Sequence, residues 1–579
     1  MSQRTLVTTF LLAMSLLAGC GGSSSVPDST PPPVVTPPPP VITPPVVVTP
    51  EATFAVVSST PAEAALDVPR SSALAVTFNA APDPSSIHAG TVSLLGPQGN
   101  HVPGALSVSG NDVKLLPDAS LPGGTKYTLN VAASVKDSGG RSLNAAATRA
   151  FTTMPQAWDG VSRTLAEMAY FTSGIEPVIT IDKLGDVTAI WQTSERGYLT
   201  VFASRMDHRS GNWSVPVRLY TVANLFGGAG GLRAVADASG NVYVVWGDSS
   251  NAQRSLLMVR YVAATSAWTA PVSINGLPGG AVPDAAVATV DGQGVLTVVM
   301  RSDVNGLYST RYNPASGTWS TPSEILPPAF SNYIFNLDLV ADNSGNLTLG
   351  WVQRGGDYIG LNVVRYSVST GHWGAISILD DNITSAPFAL VADVQGGATI
   401  AWTHGMRMMD TPAIYAARLN ASTVTWSVPV QLSSGSDSLG VGQPAVAVDA
   451  SGIATVVWPQ LRGIFGARSE GWAASWPTAQ RIGTATPGNG RFPMTADITG
   501  NVSLLYNQDG VTMAMSYSAT LAQWMTPTAI GIPPDGGTNV FANSAVSVVD
   551  AGGNVTAVWL AQISVADTSR SVVSTNRFH

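Results

Sequence analysis

Charged residues are scarce in this 579-residue chain: Asp, Glu, Lys and Arg make up 11% of it, against about a quarter in ordinary soluble domains. The 28 Lys and Arg residues are outnumbered by 36 Asp and Glu residues, which gives a formal net charge of −8. No basic stripe is present that would neutralise a phosphate backbone. The composition therefore argues against a nucleic-acid partner.

Cysteine and histidine, on which much catalytic and metal chemistry depends, are also rare. Cys20 is the single cysteine, so no intramolecular disulfide can form. A Gly-x-Ser-x-Gly motif in a strand-to-helix setting is absent, and the Gly-rich runs lie in β-type sequence. No two of the six histidines stand at a spacing typical of zinc ligands: His88, His101, His208, His372, His404 and His579. We predict a non-catalytic protein without cofactor or metal.

Long apolar runs are missing after the first twenty residues, so no later segment is expected to span a bilayer. The N-terminal sequence MSQRTLVTTFLLAMSLLAGCGG combines one Arg, a short apolar run and small residues. This pattern predicts a secretory signal peptide over residues 1–19. Its end, LLAGC (Leu16 to Cys20), resembles the lipobox of bacterial lipoproteins. The resemblance implies a lipid on Cys20, the membrane as a partner, and, with Gly21 following, an outer-membrane or cell-surface location.

Proline and glycine, by contrast, are abundant, with 40 and 57 copies. Residues 20–50 are especially rich in them. Gly and Ser form a flexible joint at the start, and the Pro-rich remainder favours extended polyproline II. The twenty residues from Pro31 to Pro50, at about 3.1 Å each, would span roughly 60 Å. We therefore predict a stalk between the lipid and the first folded domain.

The rest of the chain consists of short Val- and Thr-rich segments between turn signals, which predicts an all-β protein. Residues 51–154 are expected to form a β-sandwich. Two stretches, STPAEAALDVPRSSALAVTFNAAPDPSSI and LLPDASLPGGTKYTLNVAASVKDSGGRSL, resemble bacterial Ig-like domains of the SbsA S-layer type. The resemblance implies a spacer or adhesive module. We expect Phe78 and Tyr127 to lie in its core.

Residues 155–579 are periodic, with intervals of 48 to 56 residues. An Asp-x-x-Gly signature recurs eight times, at Asp182, Asp237, Asp291, Asp342, Asp393, Asp449, Asp497 and Asp550. A series of eight tryptophans lies between these signatures, at Trp158, Trp213, Trp268, Trp319, Trp373, Trp426, Trp476 and Trp524. An arginine precedes six of these tryptophans by eight residues, at Arg205, Arg260, Arg311, Arg365, Arg418 and Arg468. The constant offset predicts a hairpin of fixed length.

Each repeat is interpreted as four strands, and four-stranded repeats arranged radially form a β-propeller. The last repeat ends after its third strand, with Arg577 in the arginine position, whereas an isolated fourth strand beginning at Trp158 precedes the first repeat. We expect this N-terminal strand to complete the last blade and close the ring through hydrogen bonds. The predicted fold is an Ig-like β-sandwich followed by an eight-bladed β-propeller. The repeats resemble bacterial extracellular propeller proteins.

The recurring Asp is better explained by a turn than by a metal site. A calcium loop needs several converging oxygen ligands, whereas most copies contain one acid. A capping Asp followed by a Gly with positive φ accounts for the same residues. The Arg and Trp of the next hairpin are candidates for a cation–π pair across strands. That hairpin resembles the sialidase Asp-box, Ser-x-Asp-x-Gly-x-x-Trp, in its location only, because YNPASGTW and YSVSTGHW lack the Asp.

Two faces of the predicted propeller differ. The face with the Asp-x-x-Gly turns is called the turn face; the opposite face, whose connections differ between repeats, is called the variable face. Binding residues concentrate on variable loops over a rigid scaffold. The candidate binding residues are polar or aromatic residues of the variable face: Asp248, Arg254, Arg301, Asp303, Arg354, Asp357, Tyr358, His404, Arg407, Asp410, Arg462 and Asp509.

The order of anchor, stalk, spacer and propeller favours a lipid-anchored envelope protein that binds a glycan, a polymer or another envelope protein. An alternative is an extracytoplasmic carbohydrate-active enzyme, either a glycosidase or a lyase. Such an enzyme would need paired carboxylates, for which Asp303, Asp357 and Asp410 are candidates. A purely structural envelope protein is the third hypothesis.

Overall fold

The computed structural model describes residues 53–579 except for short gaps at 71, 98, 119, 169–176, 196–197, 224–229, 249–254, 275, 279–282, 330–331, 356–357, 384–387, 406–411, 434–440, 461–462, 472–474, 485–491, 534–537 and 566–567. The described chain is built of β-strands, with short 3-10 helices at Pro84–Ser86 and Ala263–Thr265. None of its helices is long and apolar enough to cross a membrane. The prediction of an all-β protein is confirmed.

The first folded region is a sandwich of two sheets. Its strands alternate between inward apolar and outward residues, as a strand with one buried face requires. Phe78 and Tyr127 are 1% and 3% exposed, so both lie in the core as predicted. One sheet has the order Val56–Thr60, Leu74–Phe78, Asp112–Pro117, Gly104–Ser109. The other has the order Ala65–Val68, Ala147–Thr153, Lys126–Val131, Val92–Leu95, His101–Val102.

Eight further antiparallel sheets follow, here called units 1 to 8 in chain order. Unit 1 contains Val178–Ile181, Val187–Glu195, Tyr198–Met206 and Val217–Ala223. Unit 2 contains Gly230–Ala236, Val242–Asp248, Ser255–Val262, Ala267–Trp268 and Val272–Ile274. Unit 3 contains Pro283–Val290, Leu296–Ser302, Leu307–Asn313, Thr318–Trp319 and Ser323–Leu326. Unit 4 contains Asn332–Ala341, Leu347–Gly355, Tyr358–Ser367, His372–Trp373 and Ser377–Asp380.

The second half of the repeats has the same strand order. Unit 5 contains Ala389–Ala392, Ala398–His404, Ala413–Asn420, Thr425–Trp426 and Val430–Gln431. Unit 6 contains Ala445–Val448, Ala454–Gln460, Gly463–Arg468 and Gln480–Gly483. Unit 7 contains Met494–Ala496, Val502–Gln508, Val511–Ser518, Gln523–Trp524 and Thr528–Ala529. Unit 8 contains Thr538–Val549, Val555–Val565, Thr568–Phe578 and, from the start of the repeats, Arg163–Met168.

The second strand of each unit lies at the centre of the packing. In unit 2, Val242, Val244 and Trp246 pack against unit 1, while Tyr243 and Val245 pack against unit 3. Successive side chains of a strand point to opposite faces, so an uninterrupted apolar sequence is needed where both faces are covered. This explains the run VYVVW. Burying each such side chain contributes about 1.5–3 kcal/mol, which holds neighbouring sheets together.

The units contact one another in cyclic order. The first strand of each unit contacts the first strand of the next, and the first strand of unit 8 contacts that of unit 1. Trp191 of unit 1 shares a core cluster with Val558 and Leu560 of unit 8. Arg163–Met168 pairs antiparallel with Thr568–Phe578, and Trp158 forms a bridge with Phe578. The N-terminal strand and the C-terminal strands therefore belong to one sheet.

The fourth strand differs from its prediction. Each repeat was interpreted as four strands, but five units contain two short pieces in the fourth position that pair separately with the third strand. In unit 2, the Thr269 hydroxyl accepts a hydrogen bond from the Arg260 backbone N–H at 3.0 Å. Pro271, between the two pieces, has no N–H to offer. The outer edge of the sheet is thereby interrupted, which disfavours pairing with another chain.

Arg70 joins the Ig-like sandwich to unit 8. Its guanidinium donates to the Asn554 side chain and to the carbonyl oxygens of Gly552 and Leu121. The side chain is 6% exposed, and burial lowers its pKa to about 10. Gln156 adds a 2.8 Å bond to the carbonyl of Gly553. The sandwich therefore packs on the turn face of the unit where the two ends of the repeat region meet.

Candidate functional site

All eight repeat aspartates lie at the turn between the first and second strands. In unit 2, Asp237 Oδ1 accepts from the backbone N–H groups of Ser239 and Asn241, both at 2.9 Å. The Gly240 N–H donates to the Asp237 carbonyl at 3.1 Å, and Gly240 has φ of +81°. Equivalent bonds occur at Asp182, Asp291, Asp342, Asp393, Asp449, Asp497 and Asp550.

The second carboxylate oxygen of these aspartates has a role that sequence reasoning missed. Arg205 Nη2 lies 2.6 Å from Asp182 Oδ2 in unit 1, and Arg311 Nη2 lies 2.6 Å from Asp291 Oδ2 in unit 3. Arg365 pairs with Asp342 in the same way. In units 1, 3 and 4 the repeated Asp and the repeated Arg thus form a buried ion pair, whereas Arg260 of unit 2 donates to the Pro314 carbonyl at 3.5 Å. The sequence signal that could have predicted this pair is that the Asp and the Arg recur together in most repeats.

The arginines contact tyrosines rather than the expected tryptophans. Arg205 lies over the ring of Tyr261 in unit 2, 4.6 Å from its centroid, and Arg311 lies over Tyr366 in unit 4 at 4.8 Å. Each guanidinium therefore bridges its own turn to the next unit. The tryptophan packs instead on the tyrosine of its own hairpin, as Trp268 does on Tyr261 at 5.4 Å.

Unit 5 departs from this arrangement. Arg418 donates to the carbonyl oxygens of Gly452 and Gly471 in unit 6, at 2.6 and 2.7 Å. Asp393 Oδ2 is buried and has no hydrogen-bond partner among the described residues. Burial raises the pKa of Asp393 above its usual value. This turn therefore resembles the others in its backbone but lacks the ion pair found in units 1, 3 and 4.

On the variable face, the outer strand of one unit meets the second strand of the next. Between units 1 and 2, the Tyr220 hydroxyl donates to Asp248 Oδ2 at 2.8 Å. Burial and this bond raise the pKa of Tyr220 to about 12. Asp248 is 8% exposed, so this predicted binding residue is largely occupied within the protein.

The same junction between units 4 and 5 brings together groups with proton-transfer chemistry. His404 Nδ1 lies 2.7 Å from Asp380 Oδ2, which also accepts from Trp402 Nε1 at 2.6 Å. The side chain of Asp380 is 7% exposed and that of His404 32%. A carboxylate at this distance favours the tautomer with the proton on Nδ1, in which Nε2 carries the free lone pair. Asp380 was not predicted, because a separation of 24 residues links two different units.

The other predicted residues are dispersed over the variable face. Arg301 donates to the Ile334 carbonyl of unit 4, while Asp303, Arg354 and Asp509 are exposed. Tyr358 begins a strand, and its side chain lies outside the described part of the structure. Five predicted residues, and the lipidation residue Cys20, lie outside the described residues altogether: Arg254, Asp357, Arg407, Asp410 and Arg462.

One group of described residues has ligand atoms within 4.8 Å of one another: Asp186, Asp207 and His208. Asp186 Oδ1 already lies 2.7 Å from His208 Nδ1, and Asp186 Oδ2 lies 3.1 Å from Arg205 Nη2. A guanidinium at that distance competes with a metal cation for the same carboxylate. The cluster is therefore better described as part of the ion-pair network of unit 1.

Comparison with known proteins places one segment in a family. Residues 50–153 match the bacterial Ig-like domain family. No curated protein matches the chain by sequence.

Several solved structures are similar to the chain at low identity. The Dos1 propeller has a TM-score of 0.43 at 9% identity, over 71% of this chain and 94% of that one. A polysaccharide lyase, an ulvan lyase solved with a bound oligosaccharide, has a TM-score of 0.40 at 10% identity, over 65% and 96%. The fucose-binding lectin of Aleuria aurantia has a TM-score of 0.32 at 17% identity, over 53% and 95%. These likenesses assign no activity to this chain.

Proposed function

We propose that the chain is a lipid-anchored cell-envelope protein whose eight units form a closed, eight-bladed propeller that binds a glycan on its variable face. The cyclic contacts of the first strands and the pairing of Arg163–Met168 with Thr568–Phe578 support the propeller. Closure of this kind leaves no first strand without a neighbour. The LLAGC sequence ending at Cys20 supports the anchor.

The observation that carries glycan binding is the presence of exposed tyrosine rings at strand ends on the variable face. Tyr198 at the start of a third strand is 50% exposed, and Tyr333 at the start of a first strand is 64% exposed. Sugars present C–H groups to an aromatic face and hydroxyls to acceptors such as carboxylates. Rigid aromatic surface with a few polar groups suits such a ligand.

A glycan array with the fragment 53–579 tests this proposal. The fragment retains the Ig-like sandwich because Arg70 is buried against unit 8. We expect binding to an envelope or extracellular glycan, weakened at least about tenfold, or roughly 1.4 kcal/mol, by Tyr198→Ala combined with Tyr333→Ala. His372→Ala, at an exposed position of the turn face, is the control. Absence of binding, or equal binding by all three proteins, would contradict the proposal.

A carbohydrate-active enzyme is the second candidate, and the Asp380–His404 pair favours it. The pair suits proton abstraction better than glycoside hydrolysis, which normally uses two carboxylates. In a β-elimination, His404 Nε2 would take the proton beside a uronate carboxylate. The electron pair of that C–H bond would form a C=C bond as the C–O bond to the leaving sugar breaks, and the leaving oxygen would take up a proton from water.

An assay for the C=C bond in ultraviolet absorbance, over a panel of acidic polysaccharides, separates the two candidates. Turnover that His404→Ala abolishes and His372→Ala retains would support the enzyme. Binding on the array without turnover would support the non-catalytic function.

A further inference from the structure

A cavity of about 230 Å³ lies on the turn face, where the Ig-like sandwich meets units 1 and 8. The sandwich contributes Arg70, and unit 1 contributes the turn 208–211. Unit 8 contributes Asp159, Arg163 and Arg577. The cavity is on the face opposite the proposed glycan site, and it was not predicted, because residues far apart in sequence line it.

The walls of the cavity carry an excess of positive charge. Four arginines line it: Arg70, Arg163, Arg209 and Arg577. Asp159 is the only acidic side chain among the described residues of the wall. A cluster of four arginines around one acid is unusual in this chain, because its net charge is −8 and it has only 28 Lys and Arg residues in total. Low-dielectric walls around like charges focus the field and attract a counter-ion.

Part of this positive charge is not compensated within the protein. Asp159 lies 3.0 Å from His579 Nε2 and 3.6 Å from Arg163 Nη2, so one carboxylate faces two basic groups. Arg577 lies 3.8 Å from Asp550, and its buried Nε has no hydrogen-bond partner among the described residues. Arg209 is exposed at the rim and forms no ion pair with a described acid. Guanidinium groups recognise carboxylate, sulfate and phosphate through paired N–H donors.

We propose that this cavity binds a small oxyanion group and that the bound anion links the Ig-like sandwich to units 1 and 8. The volume is below the roughly 300–1,000 Å³ typical of drug-sized ligands, so the occupant is a free anion or the charged end of an acidic saccharide. Both sources share one chemistry, an oxyanion held by guanidinium groups. The proposal does not depend on the variable face.

Isothermal titration calorimetry on the full-length protein tests the proposal with four probes: inorganic sulfate, galactose 6-sulfate, glucuronate and neutral glucose. We expect the anions to bind and glucose not to bind. Arg163→Ala combined with Arg209→Ala should weaken anion binding at least about tenfold, since both side chains are exposed and the fold does not depend on them. Arg218→Ala, an exposed arginine of the outer strand of unit 1 that does not line the cavity, should bind the anions like the unaltered protein.

Equal affinity of the double variant and the unaltered protein would overturn the proposal, as would equal binding of glucose and glucuronate. Arg209→Ala alone provides a second variant outside any strand. Binding of galactose 6-sulfate at least tenfold tighter than inorganic sulfate would identify an acidic saccharide as the source. Equal affinities would identify a free anion. A thermal shift in sulfate counts only if the double variant lacks it, because sulfate stabilises folded proteins generally.

Discussion

At the Asp-x-x-Gly turns of units 1, 3 and 4, one carboxylate divides its two oxygens between the backbone and a guanidinium. Asp342 Oδ1 accepts from the N–H groups of Ser344 and Asn346, both at 2.9 Å. Its Oδ2 pairs with Arg365, which also donates to the Gly396 carbonyl of the next unit at 2.7 Å. A residue that first resembled a turn cap therefore also joins neighbouring units.

Asp342→Asn should destabilise the protein by about 2–4 kcal/mol, because it leaves Arg365 buried without its anionic partner. The side chain of Arg365 is 14% exposed, so water compensates little. Asp393→Asn is the matched comparison at the same position of unit 5, where Oδ2 has no hydrogen-bond partner among the described residues. It should change stability by less than about 1 kcal/mol or increase it. Urea unfolding at pH 7 measures both, and a larger loss in Asp393→Asn would contradict this account.

Asp393→Asn also leads to a prediction about how stability depends on pH. Burial raises the folded-state pKa of Asp393 above the roughly 3.9 of an unfolded chain. Above pH 4 the folded state then binds more protons than the unfolded state, so this group's contribution to stability falls as pH rises through the raised pKa. Asp393→Asn lacks this loss. The free energy of unfolding of Asp393→Asn, relative to that of the unaltered protein, should therefore increase from pH 4 upwards and then level off. Urea unfolding of both proteins at several pH values measures this difference.

At the scale of elements, the junction between the Ig-like sandwich and unit 8 depends on a close backbone approach. A Cβ on Gly552 would lie 2.0 Å from the Ser120 carbonyl oxygen. Arg70 donates to the Gly552 carbonyl in the same place. The turn of unit 8 thus has a second function: it is a docking point of the sandwich.

Gly552→Ala should open this junction at a cost of about 1–3 kcal/mol, since backbone rather than a flexible side chain must move. Limited proteolysis between residues 153 and 158 should become faster, and the thermal midpoint should fall. Gly160→Ala is the control, because a Cβ there would meet no atom within 4 Å. Equal proteolysis of the two variants would argue against a packed junction.

At the scale of the whole molecule, the turn face and the variable face carry different groups of residues. The turn face carries the repeated ion pairs, the sandwich and the arginine-lined cavity. The variable face carries exposed tyrosines and the Asp380–His404 pair. A chain entering through the sandwich on the turn face leaves the variable face directed away from that contact.

Cys20→Ser should release the protein from membranes, because the serine lacks the sulfur that the lipobox resemblance assigns to the lipid. Several acyl chains, at about 0.8 kcal/mol per buried CH₂, would otherwise anchor the protein almost irreversibly. Membrane fractionation of cells expressing each form measures the effect. A variant that stays with the membrane would contradict lipid anchoring through Cys20.

Local features of the molecule were readable from the sequence. The Asp-x-x-Gly turns, the arginine hairpins and the apolar second strands depend on short-range rules of turn chemistry and period-2 burial. Repetition strengthened the predictions made from these rules, because eight copies of a pattern at similar spacing rarely arise by chance. The expected alternation also held for the Ig-like core residues Phe78 and Tyr127.

The candidate sites were less accessible to sequence reasoning, because their partners come from different units. His404 was predicted, but Asp380 was not; Asp248 was predicted as available, but Tyr220 occupies it. The arginines were candidates for cation–π pairs with the tryptophans, whereas Arg205 and Arg311 bind turn aspartates and lie over tyrosines of the next unit.

The sequence by itself determined the all-β class, the eight repeats and the position of each turn, since these follow from residues close together in the chain. Only the tertiary structure decided which side chains meet across units, because contacts between neighbouring sheets depend on how the sheets pack. It also decided that a cavity with four arginines lies beside the sandwich. That cavity joins residues 70, 163, 209 and 577, whose proximity is a property of the folded chain.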